Sequence, residues 1–440
     1  LKLPRAVQAL RISVRQIEMM FGARRQLGEV FAIKGRTKQD IVVVTGHPDH
    51  VRSLFTAKPE QAPSLTGESP LRPVVGPNSV LTLVGPQHMR QRKLLLGPFH
   101  GEAVQRYATT IAQAAEREIE RWPLREPFAL APAMQAITLD VIMAGIFGVE
   151  GRPQKGTPER SLRDAIRWMV SLSTKPIGQV LELVGIGREQ PTGPAKRLLA
   201  YLDRHLYAVI AARRAAADTA GRTDILSLLL AARDEEGAPM TDGELRDELL
   251  TLVLAGHETT ANSLAWAFER LLRTPHAYDR LREEVRAGNG TGDAGAAYVE
   301  ATIHEAMRSR PVIPMIGRRV TVPWQLGEWR LPAGTSVLVS ILLVHHREDV
   351  YPDPFAFRPE RFLGAEGGRA PQTYTWIPFG GGIRRCLGAT LAMAEQRVVA
   401  SAIARRTDMT AADPAPERAR HRNVTMIPGR GAQVVLTARR

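Results

Sequence analysis

The chain has one cysteine, Cys386, and the residues around it are arranged for chemistry. It sits in the run Phe379-Gly380-Gly381-Gly382-Ile383-Arg384-Arg385-Cys386-Leu387-Gly388, with a helical pattern over 387–406 behind it. A sulfur at the N-terminus of a helix is favoured as thiolate, the form that binds metal, because the helix end carries partial positive charge. Glycines let the backbone turn tightly and approach a flat ligand closely. Arg384, two residues before the thiol, can meet a carboxylate near that ligand. A lone buried structural cysteine is the plain alternative, and the fixed glycine and arginine spacing argues against it. One thiol builds no internal disulfide, zinc tetrathiolate or iron–sulfur cluster. This fits a reducing cytosol and excludes a fused ferredoxin module.

A second group of reactive side chains lies in the segment 241–274. Thr241 and Glu244 form an S/T-x-x-E capping box, and Pro275 closes the far end. The resulting helix spans roughly 50 Å, and from Leu249 to Phe268 it is apolar nearly all round, as a buried core helix is. Its middle reads Gly256-His257-Glu258-Thr259-Thr260. A glycine, a carboxylate and β-branched residues are poor choices for a buried helix interior. The structural reading is a satisfied polar kink; the functional reading is that something binds there.

Phe-Gly-x-Gly-x-Arg-x-Cys-x-Gly resembles the haem-binding loop of the cytochrome P-450 (haem-thiolate monooxygenase) superfamily, bacterial soluble type. The resemblance implies that Cys386 ligates the iron of haem b, with Phe379, Gly380, Arg384 and Gly388 around the cofactor. A thiolate there favours O–O cleavage. Ala255-Gly256-His257-Glu258-Thr259-Thr260 resembles the family's oxygen-activation stretch, with Ala255 and Gly256 beside the haem and Gly256 leaving room for dioxygen. Thr259 would then offer its hydroxyl and Glu258 would relay protons. Adjacent helix residues point about 100° apart, so Thr259 is expected to face the haem and Glu258 a solvent channel. Glu258 stands where many bacterial members carry Asp. Glu305-x-x-Arg308 resembles the family's helix ion pair, and Pro359-Glu360-Arg361-Phe362 the segment adding Arg361 to it, a folding and haem-assembly element. His88-x-x-x-Arg92 resembles the helix whose His and Arg bind a haem propionate. Arg318 matches a further propionate ligand, with neighbouring Arg319 leaving the register open by one.

The reaction so implied inserts one oxygen atom of O2 into a lipophilic substrate such as a fatty acid, steroid or terpenoid. No GxGxxG follows a strand and no P-loop is present, so electrons from NAD(P)H are expected through a separate ferredoxin and its reductase. Docking near Cys386 would use Arg90, Lys93 and Arg385; their plain reading is ordinary solvated charge. Ala255, Ile313 and Met315 are placed in the substrate pocket by positional resemblance, under a roof formed by 60–85 and 173–190. A hydrogen-peroxide-driven peroxygenase and a non-catalytic haem sensor or carrier are the alternatives. Retention of Glu258-Thr259 speaks against both.

The rest of the sequence reads as a scaffold for these groups. The 440 residues, 44% hydrophobic and 24% charged, are ordinary globular composition and can enclose a cofactor. Helical periodicity covers 101–122, 133–147, 159–172, 194–217, 223–234, 241–274 and 387–406. Strands are expected at 29–45 as a hairpin, at 329–344, and at 423–438 with a turn at Pro428-Gly429. The expected fold is mainly α: a single cytochrome P-450 domain over 1–440, with a long central helix and one small β-sheet assembled from distant segments. The net charge is +14, yet only 8 of the 59 basic residues are Lys and the Arg are scattered among few aromatics. That pattern fits an Arg-rich genome or a basic docking face better than a nucleic-acid binder. The longest apolar runs stop at eight residues, so no transmembrane segment is expected. LKLPRAVQAL lacks a signal-peptide h-region, and the start at Leu1 suggests a trimmed chain. The expected location is the bacterial cytoplasm.

Overall fold

A computed structural model describes residues 4–34, 41–69, 71–99, 102–149, 151, 153–173, 191, 193–216, 221–288, 296–364, 367–422 and 424–440. The chain is mainly helical with several small sheets, and it falls into two compact units assembled from separated stretches. One comprises Leu1–Leu65, Ile111–Ile137 and Glu258–Arg440; the other comprises Thr66–Thr110 and Thr138–His257.

In the first unit a four-stranded sheet joins the two ends of the sequence. Val30–Lys34 pairs antiparallel with Ile41–Thr45, which runs parallel to Ser336–Ser340, which in turn pairs antiparallel with Met315–Arg319. The β-branched run at 41–45 alternates its side chains. Val43 packs with Val51, Phe55, Val337 and Ile377, while Val44 packs with Met20, Phe31 and Leu343 on the other face. The sheet is therefore covered on both sides, as its apolar strands require.

The strand expectations need two corrections. The stretch 423–438 does not join that sheet. Pro428 has no N–H to continue a ladder, and Gly431 takes φ +81 in the turn that follows. The chain thus splits into a hairpin, Ala419–Arg422 with Thr425–Pro428, and a strand Gln433–Arg439 between Pro127–Ala129 and Thr407–Ala411. The strand read to 344 ends at Ser340, whose side chain accepts from the Leu343 amide and starts the helix Ile341–His345.

Helices appear where the periodicity placed them, including Glu102–Ile119, Leu130–Phe147, Gly193–Ala215 and Ala389–Arg406. The capping box forms: the Glu244 amide donates to Thr241 Oγ1 at 3.2 Å, and the Thr241 amide donates to Glu244 Oε2 at 2.8 Å. The central helix runs unbroken over Asp242–Leu272, so the polar middle is not a kink. Helices at Arg5–Leu27, Pro48–Phe55 and Pro275–Ala287 were not anticipated. The last two begin on proline, which presets the first helical φ as well as ending what precedes it. Leu130–Phe147 is long and apolar enough, by length and composition, to cross a membrane, which counting uninterrupted apolar runs overlooked. It is 78% buried inside the protein, as a core helix is.

Candidate functional site

The loop carrying Cys386 is shaped by contacts with protein. Gly380 and Gly382 take φ +67 and +62, where side chains are strained. A Cβ on Gly381 would lie 2.2 Å from the Phe55 ring, and one on Gly382 2.2 Å from the Phe55 carbonyl oxygen. Those two glycines admit Phe55, which is a different reason from the close approach to a flat ligand read from sequence. The Cys386 amide donates to the Phe379 carbonyl at 3.0 Å and fixes the loop just ahead of Ala389–Arg406. Cys386 is exposed and Arg384 half-buried.

Arg318 meets the same phenylalanine, its guanidinium 5.7 Å from the Phe55 ring centroid. Strand alternation puts the two arginines on opposite faces: Arg319 is half-buried, while Arg318 is 6% exposed. Its side chain donates only to the Gly317 carbonyl, and no carboxylate meets it among the described residues. Burial alone pushes its pKa down to about 10, a measure of how poorly the charge is compensated.

Arg308 contrasts with it. Glu305 receives Nε at 2.6 Å on one oxygen and Nη2 at 2.8 Å on the other. Arg361 approaches the same carboxylate at 3.5 Å, and Nη1 of Arg308 donates to the His345 carbonyl. The His345 ring, kept neutral by burial with a pKa near 3, accepts from the Ile377 amide at 2.8 Å. The ion pair thereby holds the segment just before the cysteine loop.

Within the central helix, one stripe is left open by protein. Leu252, Gly256 and Thr259 are half-buried and Ala255 is exposed, whereas Val253, His257, Thr260 and Ala261 on other faces are buried. A Cβ on Gly256 would meet Ile142 Cδ1 at 2.5 Å, so this glycine admits a neighbouring helix. Glu258 does not simply face solvent. Its Oε1 accepts from Arg422 Nη2 at 2.7 Å, Arg422 Nε at 3.0 Å and Thr425 Oγ1 at 3.0 Å.

In the second unit, His88 is 2% exposed and Arg92 half-buried, one turn apart on Gly85–Leu96. Arg90 is bound to Asp234 at 2.7 Å and Glu244 at 2.6 Å, and Lys93 to Glu235 at 2.5 Å. Two of the three expected docking cations are thus partnered within the chain. Arg385, in the first unit, is exposed and has no carboxylate partner among the described residues. Ile313 is half-buried, and Met315 packs on the Met20–Phe31–Leu343 cluster. Of the expected roof, residues 174–190 lie outside the described residues.

Comparison with known proteins decides the family. The cytochrome P450 family profile matches residues 3–434. The chain belongs to the cytochrome P450 family. Cytochrome P450 137 of Mycobacterium tuberculosis (strain ATCC 25618 / H37Rv) is 37% identical over 410 residues, covering 93% of this chain and 83% of its own. Cytochrome P450 138 of Mycobacterium bovis is 36% identical over 441 residues, 99% and 95% of the two chains. The fold matches a retinoic-acid-bound cyanobacterial CYP120A1 with TM-score 0.81 at 24% identity, over 97% of this chain and 95% of that one. As a cytochrome P450 this is a haem monooxygenase, an oxidoreductase that uses dioxygen. The residues fit that cofactor: the only thiol lies exposed in its loop, and the buried Arg318 has among the described residues no acidic partner, which an anionic propionate would supply.

Sequence reasoning missed Phe55, Arg422, Thr425 and Glu395. Glu395 is 2% exposed on the helix behind the cysteine loop, and burial pushes its carboxyl up to about 8. Its position within a helical apolar pattern was the available signal.

Proposed function

We propose that this cytochrome P450 hydroxylates a lipophilic molecule of the fatty-acid, steroid or terpenoid kind in the bacterial cytoplasm. Electrons come from NAD(P)H through a separate ferredoxin and its reductase. The observation that carries the reading is Cys386, the only thiol, exposed at the head of Ala389–Arg406 and fixed by the hydrogen bond its amide donates to the Phe379 carbonyl.

Haem b, when bound, supplies the activation of dioxygen and the transfer of one oxygen atom. Cys386 holds the iron as thiolate, with Phe379, Gly380, Arg384 and Gly388 around it. His88, Arg92 and Arg318 hold the propionates. Ala255 and Gly256 lie along the cofactor, Thr259 presents its hydroxyl, and Glu258 holds and passes a proton at its carboxylate. The Glu305–Arg308–Arg361 network assembles the loop without touching the reacting atoms. Ala255 and Ile313 are the better supported pocket residues, because Met315 is taken up by the core. Arg385 remains the basic contact for an acidic ferredoxin.

The test is the carbon monoxide difference spectrum of reduced, haem-loaded protein. Wild type gives the red-shifted band of a thiolate ligand and Cys386→Ser loses it. An unchanged spectrum in the variant ends the reading. Product with hydrogen peroxide but none with NAD(P)H and redox proteins would turn it into a peroxygenase.

A further inference from the structure

Two carboxylates on helices of the first unit, buried Glu305 and half-buried Glu258, hold arginine in different ways. Glu305 meets Arg308 as a fork, one nitrogen on each oxygen, which is how a carboxylate is used up in a structural pair. Glu258 is held end-on. Both Arg422 Nε and Arg422 Nη2 donate to Oε1, and Thr425 Oγ1 reaches the same oxygen. Oε2 accepts from no described residue. Thr425 has one hydroxyl proton and two acceptors in range, Glu258 Oε1 at 3.0 Å and the Arg422 carbonyl at 2.9 Å. The charged oxygen is the stronger acceptor.

Arg422 and Thr425 face each other across the hairpin Ala419–Arg422 and Thr425–Pro428, in register as a cross-strand pair. That hairpin is anchored independently of Glu258: the Met426 amide donates to the Val312 carbonyl at 2.7 Å, and Trp266 Nε1 donates to the Met426 carbonyl at 3.0 Å. The Glu258 end is also braced, since Asn262 Nδ2 donates to the Glu258 carbonyl at 2.9 Å. A carboxylate on a flexible stem is thus clamped at one oxygen by a rigid hairpin, and its rotamer freedom is removed.

We infer that Arg422 and Thr425 are positioning residues that pin Glu258 by Oε1 and leave Oε2 as the oxygen that carries the proton. A hydronium ion from solvent gives a proton to Oε2 and leaves as water, producing the neutral acid, and the same oxygen releases the proton toward the Thr259 side, restoring the carboxylate. No electron moves; the hydrogen bonds at Oε1 persist throughout, while the charge of the pair is lost and regained. The inference rests on the proposed role of Glu258 and Thr259 in proton delivery.

The experiment compares Arg422→Ala, Arg422→Lys and Thr425→Val with wild type. Hydrogen peroxide brings its own protons, so the informative quantity is product from the NAD(P)H route divided by product from the peroxide route. Arg422→Ala should lower that ratio roughly tenfold and raise the solvent deuterium isotope effect, because proton transfer becomes limiting. Arg422→Lys should recover part of the loss, and Thr425→Val should fall between. A second readout needs no turnover: in urea unfolding, Arg422→Ala combined with Glu258→Gln should destabilise by less than the sum of the single changes. Strict additivity, or an unchanged ratio with the thiolate carbon monoxide band intact, overturns the inference while leaving the monooxygenase reading standing. Loss of that band in wild type would instead remove the reading itself.

Discussion

Arg308 and Arg318 are ten residues apart and both are buried, yet they belong to different kinds of site. Arg308 is 0% exposed and complete: a forked carboxylate, a backbone carbonyl and the ring of Tyr351 at 5.2 Å surround it. Arg318 has an aromatic neighbour and its own strand's carbonyl, and nothing of opposite charge among the described residues. Desolvating a cation is costly in either case. Where the chain supplies the anion, the charge is architecture. Where it does not, as at Arg318, we propose that the cost is carried for a ligand. Buried charge alone therefore says little about function; what separates the two is whether the protein closes the electrostatic circuit itself.

The largest expected effect comes from opening the closed circuit. Glu305→Gln leaves Arg308 buried without its anion, which costs about 3–5 kcal/mol. Soluble yield and the urea midpoint of the haem-free protein should both collapse. A stable variant would mean that the pair is not structural.

Changing Arg318 should do the reverse. Arg318→Gln removes a poorly compensated charge, so the haem-free protein should be as stable as wild type or more so. A charge-assisted hydrogen bond contributes about 1.5–3 kcal/mol, so haem should leave roughly ten to a hundred times faster. Transfer of haem to an apo-acceptor protein measures this. Equal destabilisation of the haem-free forms of both variants would erase the contrast.

Glu395 gives the anionic version of the comparison. Its carboxyl has no hydrogen-bond partner among the described residues, and burial raises it from 4.5 to about 8. The folded state therefore holds a proton that the unfolded chain releases above about pH 4.5. Stability should be full below that pH, fall as pH rises through 8, and level off beyond, by on the order of a few kcal/mol. Glu395→Gln should flatten the profile between pH 5 and 9. A wild-type profile already flat over that range would mean that the carboxyl is compensated.

The smallest effect is expected at the surface. Arg385→Ala should slow ferredoxin-driven turnover only severalfold at low salt, because exposed attraction is screened within about 10 Å at 0.1 M. The difference should vanish as salt is raised. A difference independent of salt would place the residue's role in the loop instead.

Legibility followed sequence separation. The capping box, the Glu305–Arg308 pair and the cysteine loop are patterns within ten residues, and local geometry alone makes them recognisable. Phe55 was invisible because it meets the loop from a helix more than three hundred residues earlier. Arg422 lies 164 residues beyond Glu258, and nothing local distinguishes it from the many other arginines. The glycines were found, but that Gly381 and Gly382 also make room for Phe55 could not be read locally. The strands within 423–438 and the turn at Pro428-Gly429 were legible, but their membership of two different sheets was not, because it depends on distant partners.

The parallel pairing of Ile41–Thr45 with Ser336–Ser340 also sets a schedule for synthesis. Translation at about 5–20 residues per second separates the two strands by some tens of seconds. Throughout that interval the hairpin presents an apolar edge, Val42-Val43-Val44, with no strand to cover it. A nascent chain in that condition is open to pairing with its neighbours on the polysome. The yield of this enzyme in a host should thus depend on how fast the ribosome reaches residue 340 and on chaperones that shield the edge until it does.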